Sequence, residues 1–193
     1  EFVKTLILDT MKKTLFIALI MCIAVAGFAQ KKTIPPVPNV PMDDETGLIT
    51  YKEVIQENGT AKELYDRALV WAKSYYKNTG EIIKSADAEK CEIKFRGSVR
   101  IYSRLDDGKK ITKNVVYYNF TLQCREGRYR YTITDFNEKA QSAAPIERWL
   151  DTDAPKWIPD YYLYLQDVDD GINELIASLL EGMQPVQKVE DDW

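Results

Sequence analysis

Residues Glu92–Arg130 read EIKFRGSVRIYSRLDDGKKITKNVVYYNFTLQCREGRYR, and the pairing of this stretch with itself decides the fold. Apolar and polar side chains alternate on both sides of Asp107-Gly108, a dipeptide preferred in two-residue type I′ turns because both turn positions need positive φ. With Asp106 and Lys109 as the closing hydrogen-bonded pair, Ile93 faces Leu122, Phe95 faces Phe120 and Val99 faces Val116. Gly97 leaves room for Tyr118. One face of the pair is then apolar throughout, and a slip of one residue would destroy the match. A second hairpin with Glu126-Gly127 at its tip sets Tyr129 opposite Cys124, Tyr131 opposite Leu122 and Ile133 opposite Phe120, continuing the same face.

The opposite face of these strands collects Lys94, Arg96, Arg100 and Arg104, then Lys113 and Tyr117, then Arg128 and Arg130. Such a basic surface on a chain of net charge −4 points to an anionic ligand, an acidic glycan or a carboxylate-rich protein bound by charge-assisted hydrogen bonds. The competing reading is a solvated sheet face balanced by loop acids or by Glu92, since one-sided antiparallel sheets normally carry charge outward. The same register places Cys91 opposite Cys124, at a non-hydrogen-bonded site where Cα atoms approach closely enough for a disulfide. Two buried free thiols touching across the strands are the alternative.

Working outward, Leu48–Gln56 is a β-type run whose inward face the alternation leaves open. Asn58-Gly59 marks a turn, and Thr60-x-x-Glu63 is a capping box opening a helix. Its buried stripe is Ala61, Leu64, Tyr65, Ala68, Trp71, Ala72 and Tyr75, with Asn78 to Gly80 at its end. A shorter strand is expected over Glu81–Ser85, with Ala86–Lys90 as its loop. After Asp135 the chain turns irregular, and Trp149 and Trp157 are expected to anchor it. A second helical stripe runs through Tyr161, Tyr164, Val168, Ile172, Leu175, Ile176, Leu179 and Met183, with Asp170-Gly171 as a point of interruption.

Met11–Gln30 has two lysines followed by an apolar run from Leu15 to Phe28 and small residues at Gly27 and Ala29. That is the pattern of an export signal (residues 11–29, cleaved after Ala29) and is too short for a stable membrane span. Acylation of Cys22 would be the lipoprotein variant, but Met21 stands where such processing wants a small residue. Residues 1–10 read as an upstream or cloning remnant. Residues 30–41 hold four prolines and form an extended linker, residues 42–183 form one α+β domain, and residues 184–193 form an acidic tail. The expected location is the periplasm or the cell surface, with no transmembrane segment in the mature protein. There a disulfide is permitted.

Histidine is absent, which removes the usual general base, the usual partner of Ser and Cys nucleophiles and the commonest transition-metal ligand. Glycine-rich phosphate loops, Gly-x-Ser-x-Gly and Cys-x-x-Cys are missing too. Asp167-x-Asp169-Asp170-Gly171 departs from a calcium loop, with Gly one position early and Ser178 where the twelfth-position Glu belongs; helix capping is the expectation there. No catalytic residue, cofactor or metal is therefore expected. The rival is a carboxylate-dependent hydrolase acting on envelope or dietary glycans through Asp151 and Asp153.

GLITYKEVI (47–55), LYDRALVWAKSYYK (64–77) and GRYRYTITDF (127–136), in the order β-α-β-β-β-β-α, resemble a family of exported bacterial domains of unknown function with a TATA-binding-protein-like (TBP-like) fold. The resemblance spans Gly47 to about Phe136. It implies an antiparallel sheet with helices on one face and the other face open, the surface with which the fold's namesake grips nucleic acid. Outside the cytoplasm nucleic acid is not an expected partner, and fold alone does not assign function. The reading is an exported, non-enzymatic binding module that uses Lys94, Arg96, Arg100, Tyr117, Arg128 and Arg130.

Overall fold

Side-chain alternation carries through into two long hairpins and the sheet they build. A computed structural model describes residues 34–142 and 144–185; the expected export signal with Cys22, residues 30–33 of the expected linker and residues 186–193 of the expected tail lie outside these. The elements are β1 (Tyr51–Gln56), α1 (Ala61–Tyr75), the short α2 (Thr79–Ile82), β2 (Ile83–Asp87), β3 (Glu92–Arg104), β4 (Lys110–Arg125), β5 (Arg128–Glu138), a 3-10 turn (Ile146–Leu150) and α3 (Asp160–Gly182). The five strands form one antiparallel sheet in the order β1-β5-β4-β3-β2. This is the expected α+β arrangement. Strand β2 starts two residues later than the expected Glu81 because the single turn α2 occupies Thr79–Ile82.

Ile93, Phe95, Tyr118, Phe120, Leu122, Tyr129 and Ile133 are buried on one face, in the pairs read from the sequence. The Phe95 and Phe120 rings stack at 4.7 Å, and Trp71 of α1 meets both edge-on. Helix α1 starts at the expected box. Thr60 Oγ1 accepts the Glu63 N–H at 3.2 Å while Glu63 Oε2 accepts the Thr60 N–H at 2.8 Å. Leu64, Tyr65, Ala68, Trp71 and Ala72 then face the sheet. The β4–β5 tip is tied to the turn before α1, with Gly127 N–H donating to Gly59 O and Glu57 N–H to Gly127 O. Val40, in the expected linker, is already part of the core.

The β3–β4 turn differs from the expectation. Leu105 N–H donates to Lys109 O at 2.9 Å and only Gly108 has positive φ (81°), so the loop has three residues, Asp106 to Gly108, rather than two. Near the turn Arg104 therefore faces Lys110 and Tyr102 faces Thr112. A bulge between Ile101 and Tyr102 then leaves Lys113 unpaired, and Ile101 faces Asn114. The residue added in the loop and the residue inserted in β4 offset one another. The interior pairing thus survives, but the hydrogen-bonding parity along β3 is reversed.

Helix α3 runs unbroken through Asp170-Gly171, contrary to the interruption weighed above. Gly171 lies against β3, where a Cβ would stand 2.7 Å from Val99 Cγ1. The three aspartates sit inside the helix and cap nothing. Asp167, buried, receives Tyr102 N–H at 3.0 Å and Arg104 Nη2 at 2.7 Å; Asp169 accepts the Tyr51 hydroxyl, and Asp170 accepts Gln166 Nε2. Trp149 is fully buried, and Trp157 donates its Nε1–H to Trp149 O at 2.7 Å, anchoring the segment between β5 and α3.

At Gly97 the sheet is closed to any side chain, because a Cβ would overlap the Tyr118 ring and its hydroxyl. Gly97→Ala is expected to lower the unfolding free energy by about 2–3 kcal/mol, read by urea titration. Ser98→Ala, at the next and exposed position, should stay within about 0.5 kcal/mol of the parent.

Candidate functional site

The face turned away from α1 and α3 is organised by the ladder into cross-strand rows. Glu92, Gln123, Arg130 and Val54 form one row, Lys94, Thr121, Thr132 and Lys52 the next, and Arg96, Asn119 and Thr134 the third. Ser98, Tyr117 and Asn137 form the fourth. No described element covers them, and Arg100, Arg128 and Arg130 are exposed.

The expected basic residues do not act as one patch. In the middle of the face their charge is met locally. Lys94 pairs with Glu92 at 3.2 Å, and Arg96 reaches Asn119 Oδ1 at 2.7 Å and Asp135 Oδ2 at 3.4 Å while lying 5.7 Å from the centre of the Tyr117 ring. Asp135 occupies this place because β5 bulges opposite Tyr118, which puts its backbone at φ 58°. Its carboxylate also accepts the side-chain amides of Asn119 (2.6 Å) and Asn137 (2.9 Å). Arg96 and Tyr117 border a hollow of about 510 Å³ with Asp135 and Asn137. Arg104 leaves the basic set altogether. Beyond the bulge it serves Asp167 of α3.

At the β4–β5 end the charge is not met. Arg125 lies directly opposite Arg128, and Arg130 follows two residues on along the same face. Arg130 Nε donates to Gln123 Oε1 at 3.1 Å, its Nη2 joins the same oxygen, and Gln123 Nε2 donates to Glu92 Oε2 at 2.6 Å. This relay orients one guanidinium. Among the described residues no carboxylate lies in ion-pair range of Arg125, Arg128 or Arg130. Like charges facing each other across strands are unfavourable, and here they border a hollow of about 230 Å³ together with Val54 and Gln123. Arg125 was missed in the sequence reading although the hairpin register itself brings it opposite Arg128. Gln123 and Asp135 had no comparable signal, since one acts through a relay and the other through a bulge.

Arg100 stands apart, beside the edge of β3, and lines a third hollow of about 620 Å³ with Tyr117 and Glu174 of α3. Asp151 and Asp153 are exposed in their loop, where Asp151 Oδ1 accepts the Asp153 N–H at 3.2 Å. Neither borders the three hollows.

Cys91 and Cys124 do lie across from each other, but Cys124 N–H donates to Cys91 O at 2.9 Å. The pair is therefore a hydrogen-bonded one, with wider Cα spacing than the expected kind, as the three-residue turn requires. Both are free thiols in this structure. Cys91 leaves the strand at φ 49° and directs its thiol to Ala88 O at 3.5 Å.

Residues 51–139 match a domain of unknown function (DUF4468) with a TBP-like fold. A TBP-like protein from Parabacteroides distasonis ATCC 8503 superposes with a TM-score of 0.58 at 16% identity, over 75% of this chain and 96% of that one. A DUF4468 family protein from Bacteroides ovatus ATCC 8483 gives 0.60 at 16% identity, over 76% and 91%. At such identity the likeness establishes the fold. No curated protein matches the chain.

Burial, with Cys91 facing it, pushes the Cys124 thiol up to about 12. A thiol raised on folding stabilises the fold below its unfolded value of about 8.5, and that contribution is lost as pH rises from there toward about 12. In reduced, folded protein at pH 8, iodoacetamide should modify Cys124 at least about a hundredfold more slowly than in the urea-unfolded chain, followed by peptide mass mapping.

Proposed function

We propose that this chain, which over residues 51–139 belongs to the DUF4468 family with its TBP-like fold, is an exported, non-enzymatic binding module. Its open sheet face takes a carboxylate-bearing partner at the Arg125, Arg128 and Arg130 corner. The observation that carries this reading is the convergence of three guanidinium groups with no described carboxylate beside them, one already oriented through Gln123 and Glu92. An arginine held in place loses less freedom on binding, and its planar fork matches a carboxylate. Arg96 and Tyr117 supply a second contact further along the same face. There Asp135 offsets the charge and the aromatic ring offers apolar area. Lys94, tied to Glu92, contributes little.

Export places the domain in the periplasm or at the cell surface, where carboxylated glycans and acidic protein segments are both present. The glycan-hydrolase alternative has no comparable support, because Asp151 is engaged by its own loop.

Polyglutamate and polygalacturonate immobilised on resin are suitable probes. Retention of the purified protein should fall as salt rises from 50 to 300 mM. The triple variant Arg125→Ser/Arg128→Ser/Arg130→Ser should lose at least about tenfold in affinity, equivalent to about 1.4 kcal/mol, with an unchanged circular dichroism spectrum. Equal retention of parent and variant on both polymers would refute the site.

A further inference from the structure

A second binding feature lies on the edge of β3, away from the arginine corner. The Cys124 to Cys91 hydrogen bond sets the parity of β3. Odd-numbered residues up to Ile101 turn their backbone groups toward β4, and even-numbered ones turn theirs to the other edge. Strand β2 occupies that edge only from Glu92 to Phe95. At the far end Tyr102 N–H is taken by Asp167 at 3.0 Å, and Tyr102 O by Arg104 Nη1 at 3.1 Å. Between these stops Ser98 and Arg100 present two N–H and two C=O groups that no described residue pairs, and both residues are exposed.

The window opens into the hollow of about 620 Å³ between β3 and α3. On the open-face side it is flanked by Arg100, and on the helix side by Val99, the Tyr75 ring stacked on Trp71, and Glu174. Among the described residues neither Arg100 nor Glu174 has an ion-pair partner. A strand added at this edge must send successive side chains to opposite faces. Opposite Arg100 a carboxylate fits. At the neighbouring position a Lys or Arg would lay its stem on Val99 and Tyr75 and carry its charge to Glu174.

We infer that the Ser98–Arg100 edge of β3 binds an extended peptide as a sixth strand, selecting one with adjacent acidic and basic residues that meet Arg100 and Glu174 respectively. Backbone hydrogen bonds supply the attachment and the two flanking charges the selectivity, as in other strand-addition complexes. A second copy of the chain is disfavoured at the same edge. It would bring its own Arg100 and Glu174 to the faces that already carry them, like against like. The stops on either side limit the occupant to a few residues.

The test uses acetylated, amidated Val-Thr-Lys-Glu-Val and its charge-exchanged counterpart Val-Thr-Glu-Lys-Val, titrated into ¹⁵N-labelled protein. One of the two orders should bind at least tenfold tighter than the other. At saturation it should slow hydrogen exchange at the Ser98 and Arg100 amides at least tenfold, and Arg100→Glu should abolish the preference. The Arg125/Arg128/Arg130 triple variant should bind the peptide as the parent does, which separates this site from the open-face corner. Equal affinity for the two peptides, or no added protection at Ser98 and Arg100, would overturn the inference. So would protection of those amides that rises with protein concentration in the absence of peptide, since a second copy would then fill the edge.

Discussion

Tyr118 closes over the backbone of Gly97, and the stacked Phe95 and Phe120 rings lie one step further along the same two strands. A shift of β4 by one residue would turn Phe120, Leu122 and Cys124 out to solvent and drive Tyr118 off the only residue that admits it. Since burying each large apolar side chain contributes roughly 1.5–3 kcal/mol, no neighbouring register competes. Everything outside the hairpin inherits this choice. Strand β5 continues the same face, Trp71 of α1 closes on the two phenylalanines, and α3 lies where Gly171 lets it approach Val99.

Once the apolar side chains are committed to the helical face, the remaining residues of each strand must form the other face. That alternation places arginines and lysines there on an otherwise acidic chain. The outcome is not uniform, because acids reach some of them. Glu92 serves Lys94 and also steadies Gln123, while Asp135 serves Arg96 through a backbone bulge. The β4–β5 corner lies beyond ion-pair reach of either, and there the positive charge has no described counter-charge.

The edges of the sheet are handled by other means. Strand β1 closes one side of β5, and β2 covers the first part of β3. A buried carboxylate of α3, Asp167, takes over the far part of β3 by accepting a strand N–H and two cations, Arg104 and Lys110. Burying a lone carboxylate would be costly, but here it is compensated on three sides. In the stretch between the two coverings the backbone groups of Ser98 and Arg100 have no described partner.

How much of this was legible in the chain differs from one element to another. Thr60 and Glu63 announced the start of α1 because a capping box uses only neighbours in sequence. Gly97 and Tyr118 announced the register because alternation is a local pattern. The added residue in the β3–β4 turn and the bulge at Lys113 were hidden, since they offset each other and leave the interior pairs as the alternation demands. Arg104 was assigned to the open face, and the cysteine pair was given the wrong hydrogen-bonding type, for that reason. Asp167 and Asp169 looked like part of a loop or cap because their partners, Arg104 and Tyr102 for the first and Tyr51 for the second, lie more than 60 residues away. By itself, then, the sequence determined the strands in outline, the two long helical stripes, the interior register and which face is apolar, all of which follow from short-range periodicity and steric fit. Which cations stay uncompensated, which carboxylates are buried and where the sheet edge stays open were decided only by the tertiary structure, because charge pairing and edge coverage depend on residues that folding alone brings together.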